Sequence, residues 1–208
     1  MALNINSLQS NSALRQASRE QLKGKWGLPI GLCFVIYLIL SAPNSIPGAS
    51  LAVLIISGPL ELGLLLFFLK LVRNEPVEFN IGFKGFNNFG NALAVYLLRL
   101  LFIVLWSMLF IIPGIIKALS YSQAMYHLAD NPKIEASQAI AKSRKMMDGA
   151  KGKLFCLYFS FIGWGFLCLL TFGIGFLWLI PYIHTASANF YVDLKKNYKD
   201  DDVKVGNK

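Results

Sequence analysis

A chain of 208 residues that is 55% hydrophobic and only 15% charged carries more apolar side chains than a water-facing domain of that length can bury. Its formal net charge of +9 would suit nucleic acid if the basic residues lay on a soluble face, but they flank apolar runs instead. That placement excludes a nucleic-acid partner and favours a lipid bilayer with anionic headgroups.

Residues 1–26 form a polar leader with no AxA-type cleavage pattern, so the first apolar run is expected to stay in the mature protein. Within the leader, Leu14, Ala17, Gln21/Leu22 and Lys25/Trp26 follow a helical repeat beside Arg15, Arg19 and Lys23. The pattern suits either a helix along the inner membrane surface or a solvated leader, with Trp26 as an interfacial anchor. The first span is expected at 27–41, followed by an uncharged turn from Pro43 to Gly48. The second covers about 49–72 and contains Gly58-Pro59, where the proline must free a carbonyl and kink the helix. A charged, phenylalanine-rich segment at 73–90 follows, with the aromatic spacing of a short amphipathic surface helix.

Residues 91–112 then run about twenty-two positions with Arg99 as the single charge, enough to cross roughly 30 Å of hydrocarbon at 1.5 Å per residue. Pro113-Gly114 is expected to reverse the chain into a fourth, more polar span ending at Asp130-Asn131-Pro132. The segment 132–152 repeats Ile134, Ala136/Ser137, Ile140/Ala141, Arg144 and Met147 at helical spacing, opposite Lys142, Lys145 and Asp148. It is predicted to be a second surface helix. The fifth and sixth spans follow, joined by Phe172 to Gly175, with Pro181 kinking the last; 195–208 is a charged tail.

The chain is therefore predicted to be all-α: a polytopic transmembrane bundle of about six spans over 27–194, with amphipathic cytoplasmic surface helices. Every Lys and Arg except Arg99 and Lys117 falls in the leader, the 70–90 and 130–153 segments or the tail, and none in the turns at Pro43, Pro113 and Gly173. That asymmetry puts both termini in the cytoplasm.

Gly58-Pro59-Leu60 with Gly63, LWSMLFIIPGIIKALSYSQAMYHLADNP at 105–132, Ser143 with Met147, Gly149 and Lys151, and YFSFIGW at 158–164 continue into LTFGIGFLWLIPYIHTASANFYVDL. Through these motifs the chain resembles an uncharacterised bacterial family of integral membrane proteins, the domain of unknown function 975. The likeness covers nearly everything from Lys23 to Leu194. It implies a multi-pass protein of the bacterial cytoplasmic (inner) membrane with cytoplasmic termini, and it implies no activity, substrate or catalytic residue.

Charges inside spans are the functional candidates, because burying one costs roughly 2.5 to 3.5 kcal/mol even on insertion scales. They are Glu61, Arg99 and Lys117. Counting residues from Lys70 and from Asn91 puts Glu61 and Arg99 at similar depth on consecutive spans, so they are predicted to pair; the alternative is that Arg99 snorkels inward and Glu61 stays neutral. Lys117, Ser120, Gln123 and His127 fall on one stripe of the fourth span, with Tyr121, Ser122 and Tyr126 nearby. That stripe is a candidate polar lane facing the bundle interior, or a set of interhelical hydrogen bonds, with Lys117, three residues past the outer turn, also placed to reach the outer interface. Cys33, Cys156 and Cys168 lie in apolar runs without a CxxC or Cys/His cluster, so neither disulfides nor a metal site is implied. With His127 and His184 the only histidines and no catalytic motif, no enzyme and no cofactor is expected. The functional expectation is non-enzymatic handling of a small solute, lipid or peptide through a polar interior. The alternative is an accessory, scaffold or peptide-immunity protein working through its basic cytoplasmic helices, with a homo-oligomer or another membrane protein as partner.

Overall fold

The computed structural model of the chain describes residues 7–41 and 50–198. Every regular element among them is helical: α1 (Asn11–Leu22), α2 (Gly27–Ser41), α3 (Ser50–Val72), a 3-10 segment (Phe79–Asn88), α4 (Phe89–Leu109), α5 (Ile111–Tyr121), α6 (Ala124–Asp130), α7 (Ala136–Met146), α8 (Lys151–Leu170) and α9 (Phe176–Asn197). The turn expected at Pro43 to Gly48 lies outside the described residues.

Among the described residues, length and apolarity qualify three helices to cross a membrane: α3, the continuous 3-10 segment plus α4 (Phe79–Leu109), and α8. A fourth is added if α1 and α2, bent by 99° at their junction, count as one. The expected count of about six is thus not reached on this criterion, for three local reasons. Helix α2 has 15 residues, about 22 Å at the α-helical rise. The fourth expected span is interrupted after Tyr121. Helix α9 is long, but its second half carries Asn189, Asp193, Lys195 and Lys196.

Helix α9 is the hub, buried almost without interruption from Thr185 to Leu194. The leader helix α1 is capped by Ser10, whose Oγ accepts from the amide of Ala13, and it packs on α9 through Leu14, Ser18 and Leu22. The Asn189 amide donates to Ser18 Oγ (2.9 Å) and to Gln21 Oε1 (2.7 Å), while Gln21 returns a bond to Asn189 Oδ1 (3.2 Å). The leader is therefore fastened to the bundle by a reciprocal amide pair. Gly24, at φ 76°, then turns the chain into α2.

Helix α3 is buried on nearly every side from Gly58 onward, and glycines decide what lies against it. A Cβ on Gly63 would sit 1.8 Å from Gly82 O, and one on Gly85 would sit 1.9 Å from Pro59 O. Backbone thus meets backbone where the 3-10 segment crosses the Pro59–Gly63 turn of α3. The segment at 73–90 is docked there through Ile81, Gly82 and Gly85, with Phe79, Phe86 and Phe89 outward.

The reversal between α4 and α5 occurs at Phe110, which is extended (φ −158°, ψ 147°), three residues before the expected Pro113-Gly114. Pro113 sits in the first turn of α5, where its missing N–H costs nothing. Gly114 serves close packing instead, since a Cβ there would lie 2.2 Å from Ser107 Oγ. The break between α5 and α6 is closed by α7: Ser143 Oγ accepts from Gln123 N (3.1 Å) and donates to Ser120 O (2.8 Å). The inward face of α7 is accordingly Ala139, Ile140, Ser143 and Met146, packed on protein, while Arg144 points outward. The sequence stripe was one position out of phase at Arg144, because it did not include a buried serine.

Large apolar side chains cover the outside: Phe34 and Tyr37 on α2, Val104 to Ile112 around the α4–α5 tip, and Phe159, Phe166, Leu170 and Phe172 toward the end of α8. An apolar surface that extensive exceeds what a water-soluble monomer ordinarily exposes.

Candidate functional site

Between α3, α4, α5, α6, α8 and α9 lies a cavity of about 280 Å³. Glu61 and Leu65 reach it from α3, Arg99 and Ile103 from α4, and Tyr158 from α8. Ile183, His184 and Ser187 come from α9. The remaining wall is Ala118, Ser122 and Tyr126, four residues apart, so one stripe runs through the α5–α6 break.

The two charges meet in a fork. Arg99 Nη1 donates to Glu61 Oε1 (2.8 Å) and Nη2 to Oε2 (2.6 Å), with side chains 18% and 28% exposed respectively. This two-pronged geometry is the strong form of an Arg–carboxylate contact. The register differs from the depth count, however. A Cβ on Gly58 would lie 2.9 Å from Ala92 O and 3.1 Å from Tyr96 Cβ, so α4 passes α3 near Gly58, and Asn91 is not level with Lys70. Glu61 is one turn along α3 from that crossing, within reach of the long arginine. The guanidinium also lies 5.7 Å from the ring centre of Tyr96.

Across the cavity the phenol of Tyr158 meets Ser187 Oγ at 3.1 Å. The Ser187 hydrogen is committed to Ile183 O (2.9 Å), so Tyr158 is the donor. Ser122 Oγ donates to Leu119 O and accepts from Gln123 Nε2, both at 2.8 Å. His184 stacks on Phe68 with centroids 5.2 Å apart.

Toward the charged end the cavity is closed by aromatic rings. Tyr126 stacks on Tyr191 at 4.8 Å, and Tyr191 donates its phenol proton to Asp130 Oδ2 (2.9 Å). Asp130 also accepts from Arg73 Nη2 (2.7 Å) and from Lys195. Burial alone would raise the Asp130 pKa, but hydrogen bonds from Lys195, Arg73 and Tyr191 outweigh it and hold the carboxyl below its ordinary value. One carboxylate thereby ties α3, α6 and α9 together.

The family comparison decides where the chain belongs. A family model described as "Protein of unknown function (DUF975)" matches residues 1–120 and 109–198. The chain belongs to that family. No curated protein and no solved structure matches it.

In this DUF975 member, two of the six candidate residues, Glu61 and Arg99, meet in the cavity, while Ser120 and Gln123 are joined elsewhere through Ser143. Lys117 instead lies over the ring of Trp106 at 4.4 Å. Ser120 donates to Ile116 O, and its carbonyl accepts from Ser143. Gln123 is buried at the helix break, and His127 packs edge-on against Tyr191 at 5.7 Å. The polar stripe that faces the cavity is the neighbouring one, 118/122/126. The break at Ser122–Gln123 makes a continuous helical wheel misassign it. Tyr158 and Ser187 were missed because their contact joins two helices, and nothing in either local sequence announces it. Among the described residues, no group of His, Cys, Asp and Glu could hold a metal ion.

Proposed function

We propose that this protein is a multi-pass integral protein of the bacterial cytoplasmic membrane, crossing it six times with both termini inside. In this reading its work is to bind or pass a small polar molecule through the cavity at Glu61 and Arg99, without catalysis. The apolar exterior and the confinement of Lys and Arg to one set of connections support the embedding. The single observation that carries the function is the cavity itself: an ion pair and four hydroxyl groups around a half-open space between helices whose outer faces are apolar. Packing alone would favour filling such a space with side chains, because buried polar groups that lack partners destabilise a bundle. The basic outer faces of α1 and α7, with Arg19, Lys23, Arg144 and Lys145 exposed, would rest against anionic headgroups.

The test is extraction of the detergent-purified protein, with mass spectrometry of the released small molecules. Wild type is compared with Ala118→Phe, which puts a bulky ring into the cavity while keeping Glu61 and Arg99 in the chain. A compound enriched on wild type and missing from a folded Ala118→Phe protein is the expected result. Identical extracts from the two proteins would overturn the binding reading.

A further inference from the structure

We propose that the cavity ligand is a small zwitterion of the α-amino-acid type, with a short uncharged side chain; this rests on the binding reading above. The space is a half-open cleft of about 280 Å³, which suits a molecule of a few heavy atoms. Its lining is electrically balanced, since Glu61 and Arg99 are, among the described residues, the only Asp, Glu, Lys or Arg in the wall. A ligand with a net charge would bring an uncompensated charge among apolar helices, the costly case for any buried ion. A wholly apolar ligand would leave the ion pair and hydroxyls dry.

Both ends of the pair retain unused capacity. Glu61 accepts two hydrogen bonds, both from Arg99, where a carboxylate offers about four acceptor positions. Arg99 donates those two of its roughly five N–H groups. A molecule with an ammonium and a carboxylate side by side matches this arrangement in reverse, carboxylate to Arg99 and ammonium to Glu61. It adds no net charge. The phenol oxygens of Tyr126 and Tyr158 supply further polar contacts, and Leu65, Ile103 and Ile183 provide an apolar wall for a short side chain.

The experiment measures the unfolding midpoint of the detergent-solubilised full chain with L-alanine, L-serine and L-valine. L-Valine is compared with isovalerate, isobutylamine and isovaleramide, which keep the isopropyl group and the carbon next to it but lose one or both charges. At least one of the three amino acids should raise the midpoint by several degrees, and the valine analogues should not. The shift should vanish in Ala118→Phe and in the Glu61→Gln/Arg99→Gln double variant. An equal shift with isovalerate or isovaleramide would overturn the zwitterion assignment. No shift with any amino acid, while extraction still recovers a cavity-dependent compound, would reject the class and leave the binding reading standing. No shift together with identical extracts would remove both.

Discussion

Neutralising one member of the Glu61–Arg99 pair should cost more stability than neutralising both would suggest. In soluble proteins, removing one partner of a fully buried pair costs about 3 to 5 kcal/mol, because the other charge is left uncompensated. Here the side chains are 28% and 18% exposed, so the stranded charge keeps part of its solvation through the cavity. Glu61→Gln and Arg99→Gln are therefore expected to lose about 2 to 3 kcal/mol each. At roughly 2 to 4 °C per kcal/mol for a chain of this size, that is on the order of 4 to 12 °C in the unfolding midpoint. The double variant strands no charge and should fall by little more than either single one, giving a coupling of about 1.5 to 3 kcal/mol. The assay is thermal unfolding of the four proteins in one detergent, followed by intrinsic fluorescence. If the single losses add to within about 0.5 kcal/mol, the forked contact contributes no coupling and the reasoning fails.

Three further perturbations separate packing from electrostatics. Gly63→Ala should disrupt the docking of the 3-10 segment at a cost above about 3 kcal/mol, whereas Gly163→Ala, with nothing within 4 Å of the added Cβ, should be neutral or stabilising by up to about 1 kcal/mol; equal midpoints for the two would contradict the backbone contact. Ser143→Ala should cost about 1 to 3 kcal/mol and speed proteolysis near Tyr121, because the amide of Gln123 loses its buried acceptor. Asp130→Asn should cost roughly 1 to 2 kcal/mol at neutral pH, moderated by the exposure of Arg73 and Lys195. Since the folded Asp130 pKa lies below the ordinary value, the wild-type advantage is complete above that value and disappears as pH falls through the lower, folded one. An advantage that grew on acidification would refute the assignment.

The helical class was legible because apolar runs, Pro59 and the charge asymmetry are local signals carried by composition and order. The Glu61–Arg99 partnership was legible for a weaker reason: two isolated charges in adjacent apolar helices have few alternatives. The depth count behind it used a register that Gly58 and Ala92 do not share, and arginine's length absorbed the error. The cavity itself was not legible. Its wall depends on the break at Ser122–Gln123, and that break is satisfied by a serine twenty positions downstream on α7. Tyr158 and Ser187 likewise meet only once α8 and α9 are side by side. Of the three amphipathic segments, α1 and α7 turned their apolar faces onto protein, where Asn189 and Ser120 offered them hydrogen bonds, and the segment at 73–90 docked on α3 through Gly82 and Gly85.

The embedding of the bundle is tested most directly by labelling single cysteines, on a background without Cys33, Cys156 and Cys168, with a membrane-impermeant maleimide. One cysteine replaces Ile174 in the connection between α8 and α9, and the other replaces the exposed Lys145 on α7. Ile174→Cys should react in intact cells, and Lys145→Cys only after the membrane is opened. Reaction of Lys145→Cys from outside, or protection of Ile174→Cys until permeabilisation, would contradict the proposed crossing of α8 and with it the orientation of the whole bundle.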